Sequence, residues 1–187
     1  MVPRGVKRWF IRNGMKNVIE KDWWEHCTLS LSDARHVTLH MHCVPTQHFS
    51  GRALVDKNAT QWNGWVIQFD HEGVRSKQFY FVGDTGYNEK DFNEIGERFG
   101  GFDLTLIPIG TYIPRQFMAP VHICPDSAVK IHQEVNSKLS IGMHWKTFRL
   151  SSEHPEQPPY DLFQALQKAK VSPHSFRVLE PGQTINW

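Results

Sequence analysis

Three strings in this chain of 187 residues place a histidine or an aspartate just after an expected strand. They are Pro45-Thr-Gln-His48-Phe-Ser-Gly-Arg52, Phe81-Val-Gly-Asp84-Thr-Gly-Tyr87 and Ile141-Gly-Met-His144-Trp145. A strand end is a rigid mount, and the loop beyond it leaves room for a ligand. Imidazole nitrogens and a carboxylate form a competent donor set for a borderline metal such as zinc. Each string also has a plainer reading. A histidine after a strand can be a hydrogen-bonded surface residue, and Gly-Asp-Thr-Gly can be a turn. Convergence of His48, Asp84 and His144, which are 36 and 60 residues apart in sequence, separates the two readings.

Other groups carry less. His40 and His42 share one face of an expected strand, as a ligand pair or as polar residues on a solvent face. His122 precedes a helix that starts with proline, and Arg115 lies upstream of it; each can meet an anion or water. Cys43 and Cys124 have no activating partner in sequence and read as inert buried thiols. No GxSxG string and no Gly-rich phosphate loop is present.

The elements that must position these residues follow from patterning. The expected helices are residues 4–14, ending at Gly14, then Asn88–Phe99, ending at Gly100-Gly101, then Pro125–Val135 and Tyr160–Lys170. The expected strands are Lys16–Glu20, His36–Val44, Trp65–Phe69, Gln78–Val82, Leu104–Ile109, Leu139–Met143 and Phe176–Leu179. A turn around His71-Glu-Gly73 joins the third and fourth of these strands. The segment Glu153–Pro159 reads as a loop, because it is rich in proline and polar residues. Strands and helices alternate in the second half, which predicts an α/β fold with a mixed sheet and flanking helices.

Composition bounds the rest. Apolar residues are 40% and charged residues 21%, with seven Trp and twelve Phe, so a packed core is expected rather than disorder. The net charge of +2 makes no case for nucleic acid. Three cysteines, an odd number, read as free thiols in a reducing compartment. No run is apolar enough to span a membrane, and no signal peptide is visible behind Met1. These features predict a cytoplasmic protein. Eleven histidines are the unusual count, and histidine is the commonest metal ligand.

The strings resemble those of the metallo-β-lactamase superfamily when they are read together. To Gln47–Arg52, Phe81–Tyr87 and Met143–Phe148 are added Phe102–Tyr112, Pro114–Met118, Glu153-His154, and the opening Val2–Phe10 with Asp22–Glu25. The branch they are most similar to is typified by N-acylphosphatidylethanolamine-hydrolysing phospholipase D. The resemblance implies a four-layer αββα sandwich and hydrolysis of a phosphodiester or ester by metal-activated water. It implies zinc, up to two ions in a complete enzyme, with His48, Asp84 and His144 as ligands and Asp84 shared between metals. It implies a catalytic role for Asp84, and a role for His122 near the substrate phosphate.

The sequence departs from the family in one respect. The first metal motif, HxHxDH, is absent, since His40-Met-His42 is followed by Cys43-Val-Pro45. Residues 1–187 are therefore expected to form a single partial domain, the C-terminal part of such a sandwich. From this follow weak or absent hydrolysis by the chain alone, an exposed apolar sheet face and self-association. The expected substrate is a phospholipid or another phosphodiester, with peripheral membrane contact as a corollary and no nucleic-acid partner. A non-catalytic interaction fragment and a lactone hydrolase of the same superfamily are the alternatives.

Overall fold

The computed structural model describes residues 1–31, 36–51, 53 and 55–187. Arg52, at the end of the His48 string, lies outside them. A seven-stranded mixed sheet organises the chain, in the spatial order β3-β4-β5-β6-β7-β8-β9. Strands β3 (His26–Leu31), β4 (Val37–Val44), β5 (Gly64–His71) and β6 (Val74–Phe81) form an antiparallel meander. Strands β7 (Leu104–Pro108), β8 (Ser140–Met143) and β9 (Phe176–Val178) continue from β6 in parallel. Parallel neighbours need crossovers, and helices supply them. These are α2 (Glu89–Phe99), α3 (Arg115–Met118) with α4 (Pro125–Glu134), and α5 (Gln157–Ala169).

The helix termini follow their sequence signals. The Asn88 side chain accepts the Asp91 N–H, Gly100 closes α2 in the left-handed conformation, and Pro125 opens α4. Alternation in the strands sends Val66, Tyr80, Ile107 and Phe176 to one face, where they meet Phe92, Ile95 and Ile131 of the helices. The opposite face carries part-exposed Leu39, Met41, Ile67 and Phe69, and Phe81 is 37% exposed. Met1 and Trp187 lie against this face, beside Cys27 and Phe79 respectively.

Several sequence expectations need correction. Helix α5 begins at Gln157, so Pro158 and Pro159 belong to its first turn and not to a loop. There the missing proline N–H has no partner to lose. Residues 16–20 do not form a strand; only β2 (Glu20–Lys21) pairs, in parallel, with β1 (Val2–Pro3). Helix α1 spans Lys7–Arg12. Strand β3 was not foreseen: its polar positions are a His, a Thr and a Ser, which give no strong apolar contrast. The short helix α3 likewise gave no periodic signal.

Candidate metal centre

Strands β4, β6, β7 and β8 all run in one direction, so their C-terminal ends meet at one edge of the sheet. Open α/β sheets take ligands at such an edge. The loop after β4 brings His48, the loop after β6 brings Asp84, the connection after β7 brings His122, and the loop after β8 brings His144. Asp84, His122 and His144 each offer one donor atom, and these atoms lie within 4.8 Å of one another. His144 Nε2 is 3.2 Å from Asp84 Oδ1. The His122 ring sits between two others, 5.4 Å from His144 and 5.3 Å from His48 by centroids. Of the expected trio, Asp84 and His144 thus meet directly and His122 joins them within ligand reach, while His48 lies beside His122 and outside that group.

Loop-to-loop hydrogen bonds hold the donors there. The Gln47 N–H donates to Thr85 Oγ1 at 2.9 Å, and the Gly86 N–H donates to the Gln47 carbonyl at 2.6 Å. Gln47 Nε2 donates to the Pro120 carbonyl at 2.9 Å. These residues flank His48, Asp84 and His122, so three donor loops are tied through one residue, by its backbone to the Asp84 loop and by its side chain to the His122 connection. Gly86 is needed at the crossing, because a Cβ there would lie 2.4 Å from the Pro120 carbonyl oxygen. Arg115 donates to the His122 carbonyl at 2.9 Å, which gives this guanidinium a structural partner rather than a free anion site.

The electrostatics suit a metal. Burial alone would raise the Asp84 carboxyl, but the hydrogen bond with His144 and the nearby imidazoles outweigh it and hold Asp84 below its ordinary value. Burial lowers His122, against the pull of Asp84, so its imidazole is kept neutral. The bond to Asp84 raises His144, against burial. A metal ion would displace the proton that Asp84 now attracts to that ring. His48 Nδ1 meets the Phe49 carbonyl at 2.9 Å, which fixes the tautomer with a lone pair on Nε2. His48 Nε2 and His122 Nδ1 are both buried with no hydrogen-bond partner. Buried imidazole nitrogens without partners are free to ligate a cation. Two imidazoles and a carboxylate, from Asp84, His122 and His144, are a donor set that fits a borderline divalent metal with a position left open.

His40 and His42 do not belong to this centre. His40 Nε2 meets Asp70 at 3.1 Å, and His42 Nε2 meets the Gln68 side-chain oxygen at 3.2 Å, with its ring stacked on His26. Cys43 is buried and its thiol is pushed up to about 12, first by burial and then by Asp22 and Glu25. It is an inert thiol, as expected. Cys124 is half-buried, with Ser127 Oγ at 3.6 Å.

Sequence reasoning gave no role to Gln47, Gly86, Thr111 or Glu153. Their contacts span tens of residues and involve backbone groups, so a single sequence carries no signal for them.

A mixed sheet with His and Asp donors gathered at one edge defines a candidate metal centre. The chain belongs to the β-lactamase superfamily: the family described as "Beta-lactamase superfamily domain" matches residues 1–145. It is 35% identical over 189 residues to N-acyl-phosphatidylethanolamine-hydrolyzing phospholipase D 1 of Caenorhabditis elegans, covering 97% of this chain and 51% of that protein. It is 37% identical over 163 residues to the mitochondrial N-acyl-phosphatidylethanolamine-hydrolyzing phospholipase D of Saccharomyces cerevisiae, covering 87% of this chain and 33% of that protein. Among solved structures, the metallo hydrolase Igni18 of Ignicoccus hospitalis matches with a TM-score of 0.64 at 21% identity, covering 98% of this chain and 66% of that one. This chain therefore spans about half, or less, of the length of the two phospholipase D relatives.

Proposed function

We propose that this chain supplies the Asp84 edge of a zinc-dependent hydrolase that cleaves a phosphodiester of the N-acylphosphatidylethanolamine type. The observation that carries the reading is the approach of His144 Nε2 to Asp84 Oδ1 at 3.2 Å, with the rings of His122 and His48 next in line and one buried, unpartnered nitrogen on each of those two. The substrate class rests on what the two phospholipase D relatives are named for. In this reading His48, Asp84 and His144 hold metal, and His122 orients or neutralises a phosphate oxygen. Zinc supplies Lewis acidity, which activates water and offsets charge developing on the phosphate. The ionised Asp84 supplies negative charge to the cation. The neutral His122 ring donates or accepts at the phosphate without adding a charge to be desolvated.

Room for a lipid supports the same reading. An open cleft of about 540 Å³ lies beside His48, with Val2, Val6, Phe10 and Phe49 among its walls. Phe117 and Phe148 stand 72% and 75% exposed on the connections that carry His122 and follow His144. Such aromatics suit peripheral contact with a lipid surface. No helix among the described residues is long and apolar enough to cross a membrane.

The test is elemental analysis beside a turnover assay on N-acylphosphatidylethanolamine. We expect fewer than two zinc ions per chain and weak turnover from the 187 residues alone. Zinc should be lost in His144→Ala and retained in His122→Ala, which should lose what turnover there is. Zinc content indifferent to both Asp84→Ala and His144→Ala sinks the proposal. Stoichiometric zinc in a chain that never turns over, at any concentration, favours the non-catalytic reading.

A further inference from the structure

The ring of His144 is held at both nitrogens, and the second anchor has an origin far from the donors. Nε2 faces Asp84 at 3.2 Å, while Nδ1 lies 3.3 Å from the Thr111 hydroxyl. Thr111 takes φ of +66°, in the left-handed region that β-branched residues avoid. Such a conformation persists only where the surroundings over-determine it.

The Glu153 carboxylate supplies that determination. Its Oε1 accepts the N–H of Thr111 at 2.5 Å and of Tyr112 at 3.3 Å. Its Oε2 accepts the N–H of Ile113 at 3.1 Å and the hydroxyl of Ser151. The Ser152 N–H returns a bond to the Ile113 carbonyl at 3.1 Å. Three consecutive backbone donors and one hydroxyl therefore converge on one side chain. Burial would raise this carboxyl, but the Ser151 hydroxyl and the backbone amides outweigh it and keep it ionised.

We propose that Glu153 is a positioning residue that pins residues 111–113 so that Thr111 fixes the His144 ring toward Asp84. Its consequence for metal rests on the zinc reading above; its consequence for the ring does not. Partners of this kind fix the tautomer and orientation of a ligating histidine, and their loss typically costs tenfold to hundredfold in metal affinity.

The experiment compares the wild-type chain with Glu153→Gln, Thr111→Val and Ser151→Ala. Glu153→Gln keeps the shape but points an NH₂ at backbone donors. Thr111→Val removes only the hydroxyl. Two readouts are taken: imidazole ¹⁵N shifts of His144 in the metal-free protein at about pH 8, where a single tautomer is expected, and zinc affinity by competition with a chelator. In the wild type, we expect Nε2–H to face Asp84 and Nδ1 to accept from Thr111. Glu153→Gln and Thr111→Val should mix the tautomers and weaken zinc about tenfold to hundredfold. Ser151→Ala should do so less, because three backbone bonds remain.

Wild-type ring shifts in both Glu153→Gln and Thr111→Val overturn the proposal. If Glu153→Gln fails to fold, Thr111→Val and Ser151→Ala still decide it. If the wild type binds no zinc, the functional reading falls, while the ring shifts continue to judge the positioning role.

Discussion

Gly110 offers a direct test of how the fold places His144. Its backbone is not in the left-handed region, so alanine is tolerated there in isolation. The obstacle is contact. A Cβ on residue 110 would lie 2.2 Å from the His144 carbonyl oxygen and 3.2 Å from both the His144 carbonyl carbon and Trp145 Cα. Ordinary contact begins near 3.4 Å, so the two backbones must part by roughly 1 Å. Neither has an easy path, because the Ile109 N–H donates to the Met143 carbonyl at 3.0 Å and Pro108 pairs with Met143. The displacement therefore falls on His144 itself. A misplacement of about 1 Å at a working group costs on the order of a hundredfold. Gly110→Ala should weaken zinc by about tenfold to hundredfold, or roughly 1.4–2.7 kcal/mol. The overpacking should also cost about 1–3 kcal/mol of stability. The assay is chelator competition with urea unfolding as the companion measurement. The control is Gly51→Ala on the His48 loop, where the nearest atom to a new Cβ is Lys57 Cα at 3.7 Å. Wild-type zinc affinity in Gly110→Ala would refute the claim that this backbone contact sets the ligand position.

Three further outcomes are expected. His132 is buried, bonds Ser140 Oγ through Nδ1 at 2.8 Å, and is pushed down to about 4 by burial. The unfolded chain therefore binds this proton first: its stabilising contribution is whole above about pH 6.5 and is lost as pH falls toward 4, about 3 kcal/mol in all. Urea unfolding across that range should be flatter in His132→Leu than in the wild type, and equal slopes reject the assignment. Gly86→Ala should separate the loops of His48, Asp84 and His122 and lower zinc affinity, measured as for Gly110. The chain exposes 11069 Å² against the roughly 9,000 Å² of a compact chain of its mass, and this excess exceeds what one partner gives up in a standard interface. A second copy seated on the apolar sheet face is therefore expected; sedimentation should show association that Phe81→Glu reduces, and a wild-type chain monomeric at high concentration contradicts it.

The elements that sequence patterning placed well are those whose ends carry their own signals. Helix α2 has an Asn cap and a Gly-Gly stop, and β4, β5, β7 and β8 are apolar runs or alternations bounded by turns, whereas β6 starts at Val74, four residues before the expected Gln78, on exposed residues without apolar contrast. Where patterning failed, a local rule met a tertiary one. Pro158 and Pro159 look like breakers until their position in the first turn of α5 is known. Residues 16–20 have strand composition, yet only Glu20 enters a ladder, opposite Val2, whose N–H donates to the Ile19 carbonyl. Strand β3 is held by its register with β4, from His26↔His42 to Leu31↔Val37, rather than by its own contrast of apolar and polar residues.

The site shows the same division more sharply. Asp84 and His144 were legible as a pair because a donor beside a strand end is a local pattern, and because strands that point one way must bring their ends together; His48 follows the same pattern but lands beside His122, outside their group. Patterning marks His122 only as a polar residue at a helix start, and its place near the metal ligands came from the family resemblance alone, since α3 and the turn after it decide where it lands. Gln47 and Glu153 were legible as letters without a role. Each works by bonding backbone groups of another loop: Gln47 to Pro120, Glu153 to Thr111, Tyr112 and Ile113. A backbone amide has no letter of its own, so the side chain that satisfies it leaves no complementary mark in the sequence. Donor identity is therefore written residue by residue, while donor orientation is written in the fold. That is why replacing Gly110, Thr111 or Glu153, none of them a donor, is expected to change what Asp84 and His144 can hold.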